Sequence, residues 1–126
     1  MIKFEAIILS GGKGTRVKKY TKKIPKCLIK INKLPFIHHQ LNYLKKNHIK
    51  SVIISTGYKA SKVDYYLKKN IDFIKYKTVR DGKKLLGSGG AIIKSLKYLK
   101  QNFFVIYGDS FLNFNLKRLK KKNNYA

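Results

Sequence analysis

Glycines at positions 11, 12 and 14, a guanidinium at Arg16 and an ammonium at Lys26 fall within one stretch, residues 10–28, SGGKGTRVKKYTKKIPKCL. Glycine tolerates φ > 0 and has no side chain to block a ligand, so a glycine-rich turn can aim several backbone N–H groups at one point. Amides, a guanidinium and an ammonium on one loop are the groups that bind a polyphosphate. Two common phosphate loops do not fit. The Walker-type loop needs Gly-Lys followed directly by Ser or Thr, whereas Gly12-Lys13 is followed by Gly14. The dinucleotide fingerprint Gly-x-Gly-x-x-Gly fails at its third glycine, where Val17 stands. What remains is Gly-Gly-x-Gly-Thr-Arg, with Thr15 beside Arg16, then Thr21, then Pro25-Lys26. A flexible surface loop, basic because the whole chain is basic, is the weaker account, since these residues fall in register together.

The acidic residues are Glu5, Asp64, Asp72, Asp81 and Asp109. Only Asp109 follows a strand expected to be buried, next to Gly108, which permits close approach. One or two carboxylates with phosphate oxygens are the usual ligands of magnesium. An aspartate at a strand end also serves simply to cap a turn, and the phosphate loop tips the reading toward metal. His38, His39 and His48 lie in or beside a predicted helix with no acidic or thiol cluster around them, and are read as non-metal. Cys27, the single cysteine, is read as a small packed hydrophobe rather than a nucleophile.

These residues need elements to hold them. Residues 4–9 are a continuous apolar run apart from Glu5, suited to a strand buried on both faces. Residues 27–31 are expected to form a short strand. Pro35 is expected to open a helix carrying Leu34, Ile37, Leu41 and Leu44 on one face. A second buried strand spans 51–56, and a helix from about 61 to 70 turns Val63, Tyr66 and Leu67 inward. Residues 73–79 alternate and suit an edge strand. After the glycines at 87, 89 and 90, a helix is expected with Ile92, Leu96 and Leu99 on one face. The last strand is 103–107. Strands alternating with helices of this length predict a mostly parallel α/β sheet, in which ligands bind beyond the carboxyl ends of the strands. The loop after 4–9 and Asp109 both lie at such ends and can share one crevice.

With 126 residues, 44% of them hydrophobic, the chain supports at most one domain with a packed core. No apolar stretch is long enough to span a bilayer and no secretory signal opens the chain. Nothing is expected to be cleaved. The lone cysteine fits a reducing cytoplasm. The net charge of +25 raises affinity for any phosphate polymer. However, 27 of the 30 basic residues are lysine, scattered over the predicted elements. A dedicated nucleic-acid reader more often uses arginine for bidentate contacts, so nucleic acid is the less favoured partner.

The order of motifs resembles the sugar-nucleotide pyrophosphorylases, the sugar-1-phosphate nucleotidyltransferases, and looks closest to mannose- and heptose-1-phosphate guanylyltransferases. Besides the glycine loop and Pro25-Lys26, residues 33–37, 57–60, 86–91 and 103–112 are similar to family segments in the family's order. The resemblance implies a Rossmann-like sheet flanked by helices, present here in shortened form, with 1–126 as the amino-terminal, nucleotide-binding part of a single domain. It implies transfer of a nucleotidyl group from a nucleoside triphosphate to a sugar 1-phosphate, with pyrophosphate released and Mg2+ as cofactor. By the same resemblance Leu9, Gly11, Gly12, Gly14, Thr15, Gly87 and Ser88 bind the nucleotide. Arg16 and Lys26 act on the phosphates, and Asp109 holds the metal. Ser88 replaces the family's usual threonine, and Asn113 and Asn115 stand where relatives are often acidic. Relatives are longer and carry a second magnesium-binding aspartate and most sugar contacts beyond this point. The chain by itself is therefore expected to lack turnover and to leave an open sheet edge with exposed apolar surface. An inactive nucleotide-binding module, a basic nucleic-acid binder and a homo-oligomer stay open.

Overall fold

The computed structural model describes residues 4–12, 23–81, 87–100 and 102–108. Strand β1 is Glu5–Leu9. A short hairpin, β2 (Lys30–Ile31) and β3 (Leu34–Pro35), turns through Asn32 and Lys33, both at positive φ, as a two-residue connection matched to strand twist requires. Helix α1 is Phe36–Lys46, β4 is Ser51–Thr56 and α2 is Ala60–Asn70. Then come β5 (Lys75–Arg80), α3 (Gly87–Ser95) and β6 (Phe103–Tyr107).

The main sheet runs β5-β4-β1-β6, and every neighbouring pair is parallel. Parallel neighbours need crossover connections, and these are almost always right-handed. The chain moves outward from β1 to β4 to β5, then returns past β1 to lay down β6. With one handedness, that reversal of direction puts the last crossover on the opposite face. Accordingly Ile37, Leu41 and Leu44 of α1 and Val63 and Leu67 of α2 pack with Ala6, Ile8, Val52 and Ile54 on one side. Ile92 of α3 packs with Ile7, Ile53 and Val79 on the other. The even and odd residues of β1 and β4 serve the two cores in turn, as a period of two demands. The reversal falls between β1 and β6, the topological switch point at which open sheets of this kind bind ligands.

Four sequence expectations change. Residues 27–31 are not one strand: Lys26–Leu28 form a 3-10 turn and only Lys30–Ile31 extend. Helix α3 begins at Gly87 itself, and its buried positions are Ala91 and Ser95. Leu96 lies in the following 3-10 turn and is exposed. Finally, β6 is not buried on both faces. It ends the sheet among the described residues, and Val105 and Tyr107 are 39% and 56% exposed. Among the described residues no helix is long and apolar enough to cross a membrane.

Candidate functional site

The carboxyl ends of β1, β4 and β5 are tied together by backbone bonds. The Ser10 amide donates to Ser55 O at 2.9 Å, Tyr58 N–H to Gly11 O at 3.1 Å and Asp81 N–H to Thr56 O at 2.8 Å. The Ser10 hydroxyl adds a second bond to Ser55 O at 2.8 Å. On the other side of β1, Gly108 N–H donates to Leu9 O at 2.7 Å. The Gly11-Gly12 turn therefore leaves a rigid platform, with the start of the loop after β6 directly beside it.

Lys26 is brought to the same end by its neighbour. Cys27 is 2% exposed and sits in the core beneath α1. Burial pushes its thiol up to about 12, against a smaller opposing effect of a hydrogen bond with Ser10. This thiol is inert, and its role is to anchor the Lys26–Leu28 turn next to Ser10. Fully buried Pro25 fixes the approach to that turn.

Of the residues assigned from sequence, Leu9 ends β1 and is half-buried, Gly11 is half-buried, and Gly12 is exposed. Lys26 opens the 3-10 turn, half-buried. Gly87, with φ +71, and Ser88 open α3 and are exposed. Helix α3 follows β5 and leads into the parallel β6, so its first residues belong at the carboxyl end of the sheet, and it packs on β1 and β4. A Cβ added at Gly12, Gly87 or Gly89 would meet nothing within 4 Å, which leaves the loop and the start of α3 open to a ligand. Gly14, Thr15, Arg16, Thr21 and Asp109 lie outside the described residues. Among the described residues no group of three or more His, Cys, Asp or Glu side chains could hold a metal.

Two residues were missed. Asp81 directly follows β5 at this end of the sheet and is only 8% exposed, a second carboxylate after a strand that the sequence reading did not single out. Its Oδ2 lies 2.9 Å from where a Cβ on Gly11 would be, and Gly57 N lies 3.5 Å from the same point. Gly57 directly follows β4 beside this point and has no side chain to crowd it. The signal was present as a carboxylate immediately after a strand, masked by the alternating, edge-like pattern of β5. Gln40, 2% exposed on α1, donates its amide to Tyr107 O at 3.0 Å and so fixes the last residue of β6 before Gly108. Its signal is a polar residue inside the Ile37, Leu41, Leu44 stripe.

The family pattern described as nucleotidyl transferase matches residues 5–125. A D-glycero-alpha-D-manno-heptose 1-phosphate guanylyltransferase of Campylobacter jejuni is 43% identical over 116 residues, which cover 92% of this chain and 52% of that protein. The enzyme of the same name from Aneurinibacillus thermoaerophilus is 34% identical over 122 residues, with 94% and 52% covered. In three dimensions the chain is similar to HddC from Yersinia pseudotuberculosis complexed with GMP-PN, with a TM-score of 0.81 and 33% identity over 93% of this chain and 52% of that one. The chain thus spans about half the length of the curated relatives it matches.

Proposed function

Because this chain belongs to the nucleotidyl transferase family, we propose that it is the nucleotide-binding part of an enzyme that transfers a nucleotidyl group from a nucleoside triphosphate to a sugar 1-phosphate. Pyrophosphate is released and a nucleotide-sugar is formed. Residues 1–126 are proposed as the amino-terminal part of one catalytic domain, working in the cytoplasm. The observation that carries this reading is the open Gly11-Gly12 turn, pinned to β4 and to the β4–α2 loop at the switch point of a parallel sheet. Two relatives are named guanylyltransferases acting on a heptose 1-phosphate, so guanosine triphosphate is the first nucleotide to test.

The proposed step is an in-line displacement. An oxygen of the sugar 1-phosphate attacks the α-phosphorus, the bond from that phosphorus to the bridging oxygen breaks, and pyrophosphate leaves with the electron pair. Such transfers depend on positioning and charge neutralisation rather than covalent work by the protein. The backbone amides of Gly11, Gly12 and Gly14 and the Thr15 hydroxyl would orient the nucleotide. Arg16 would balance the charge growing on the pyrophosphate, and Lys26 would hold the phosphates near the reacting centre. Leu9, Gly87 and Ser88 would flank base and ribose. Gly108, bonded to Leu9 O, starts the next residue beside the turn, which fits Asp109 as a carboxylate ligand for Mg2+. Bound there, the ion supplies neutralisation of phosphate charge. For these 126 residues without the remaining length of the relatives we propose binding without turnover.

The test is binding. A ligand that binds only the folded state at a hundredfold excess over its Kd adds about 2.7 kcal/mol. With an unfolding entropy of about 0.26 kcal/mol/K for a chain this long, that raises Tm by roughly 10 °C. GTP with Mg2+ is expected to give such a shift, and Arg16→Ala to lose most of it. An equal shift in the variant removes Arg16 from the site, and no shift with any nucleoside triphosphate overturns the reading.

A further inference from the structure

Helix α1 buries Ile37, Gln40, Leu41 and Leu44. Three of these are apolar and belong to the core. The fourth is an amide, only 2% exposed. Glutamine is seldom buried, and an amide taken out of water costs stability unless it is hydrogen-bonded. Here its Nε2 donates to Tyr107 O at 3.0 Å.

That carbonyl belongs to the peptide unit joining Tyr107 to Gly108. The N–H of the same unit donates to Leu9 O at 2.7 Å. The peptide is trans, so its C=O and N–H point in opposite directions. Leu9 O therefore holds the unit from the β1 side, and Gln40 holds it from the side away from β1. Turning the plane of this unit would break both bonds. The identity of residue 108 is what makes the second bond matter. A glycine is needed there, since an added Cβ would lie 2.6 Å from Leu9 O. Glycine also gives the backbone its widest freedom to turn. Gln40 restores the stiffness that the glycine removes.

The same helix also carries a charged group of the proposed site. The N–H of Phe36, the first residue of α1, donates to Ile29 O at 3.0 Å. The helix packs on the Lys26–Leu28 turn, and Cys27 shares its core. One element thus sets both the turn that bears Lys26 and the peptide from which Asp109 follows. We infer that Gln40 is a positioning residue of the nucleotide site. By gripping Tyr107 O it fixes the Tyr107–Gly108 peptide, and with it the start of the segment that opens with Asp109, in one frame with the glycine turn and Lys26.

This inference rests on the nucleotide and magnesium reading above, and the experiment separates the two. Calorimetry measures GTP binding to the wild-type chain, to Gln40→Met and to Ile37→Val, each with Mg2+ and with EDTA. Methionine keeps the length of glutamine and lacks its donor. Ile37→Val, on the same helix, costs stability comparable to a lost hydrogen bond and leaves the Gln40 bond in place. The wild type is expected to bind GTP more tightly with Mg2+. Gln40→Met is expected to lose most of that enhancement and to keep its affinity in EDTA, whereas Ile37→Val keeps both. A merely structural role for Gln40 would weaken GTP equally with and without Mg2+. A wild-type enhancement in Gln40→Met overturns the assignment, and so does an equal loss in Ile37→Val. Hydrogen exchange followed by NMR gives a second readout. In Gln40→Met the Gly108 amide should exchange about fivefold faster relative to the amides of β4, the factor that one lost hydrogen bond carries. General destabilisation would speed both alike, which would also overturn the assignment. In the folded wild type the Gln40 side-chain amide should exchange slowly, and fast exchange there overturns the assignment without any variant. If Mg2+ does not strengthen GTP binding to the wild type, the assignment falls while the nucleotide reading stands. If the wild type binds no GTP at all, both fall.

Discussion

Replacing Gly108 by alanine would put a methyl group where the end of β1 already is. The new Cβ would lie 2.6 Å from Leu9 O, 2.9 Å from Ser10 Cβ and 3.0 Å from Ser10 Cα. None of these atoms is the free end of a flexible side chain. Leu9 is held by β4 on one side and β6 on the other, and Ser10 is bonded twice to Ser55 O. Ordinary contact begins at 3.4 Å, so one strand end must move by about 0.8 Å, a displacement of overpacking size that costs about 1–3 kcal/mol. The move also breaks the 2.7 Å bond from Gly108 N–H to Leu9 O, which contributes about 1 kcal/mol. Alanine returns about 0.5–1 kcal/mol by restricting the unfolded chain. The net loss is about 1–3.5 kcal/mol, or a fall in Tm of roughly 4–13 °C at about 0.26 kcal/mol/K. Thermal melts followed by circular dichroism measure it, with Gly12→Ala as the control. An added Cβ at Gly12 meets nothing within 4 Å, so that variant should melt within about 2 °C of wild type while losing much of the GTP-induced shift. A Gly108→Ala protein that melts as the wild type does would refute the close approach of Gly108 to the end of β1.

Two further outcomes follow from titratable groups. Cys27, buried and with its thiol pushed up to about 12, should resist a thiol reagent at pH 8, where about one molecule in ten thousand carries the thiolate. It should react at once in urea, and rapid labelling of the native chain would contradict its place in the core. The pKa of His38 is lowered, first by burial and then by the neighbouring His39, and its Nδ1 pairs with the Tyr66 hydroxyl at 2.7 Å. The unfolded chain therefore takes the proton first as pH falls. The associated stability is complete above the ordinary value of 6.5 and is lost as pH falls through the lower folded value. Urea melts between pH 7.5 and pH 5 should show a smaller loss for His38→Gln than for wild type, and equal losses would remove His38 from this role.

Much of the molecule was legible in the chain because it is written locally. A run of apolar residues at 4–9, a stripe at helical spacing from Ile37 to Leu44 and the buried strand at 51–56 each declare their element by their own period. The glycine turn declares itself by composition, and its register with Thr21 and Pro25-Lys26 was enough to suggest the family that the chain proved to belong to. Local pattern failed where a short or ambiguous stretch depends on its neighbours. Gly87, Ser88, Gly89 and Gly90 read as a loop, yet they are helical, because packing of α3 on β1 and β4 outweighs the poor helix propensity of glycine. The 3-10 turn at Lys26–Leu28 is set by burial of Cys27, which no period announces.

What only the tertiary structure decided is adjacency. A sequence states that Asp81 follows a strand; it does not state that β5 lies one strand beyond β4, so that its end reaches Gly11 beside the bare backbone of Gly57. Nor does it state that Gln40 of α1 holds the last carbonyl of β6, or that β6 closes the sheet with Val105 and Tyr107 exposed. Secondary structure follows from the period of residues close along the chain. A site follows from the order in which strands are laid into a sheet, and that order is settled by the handedness of crossovers and the burial of two faces at once. The sequence by itself determined the glycine-rich turn and the class of fold that carries it. The sheet order alone decided which carboxylate stands over that turn.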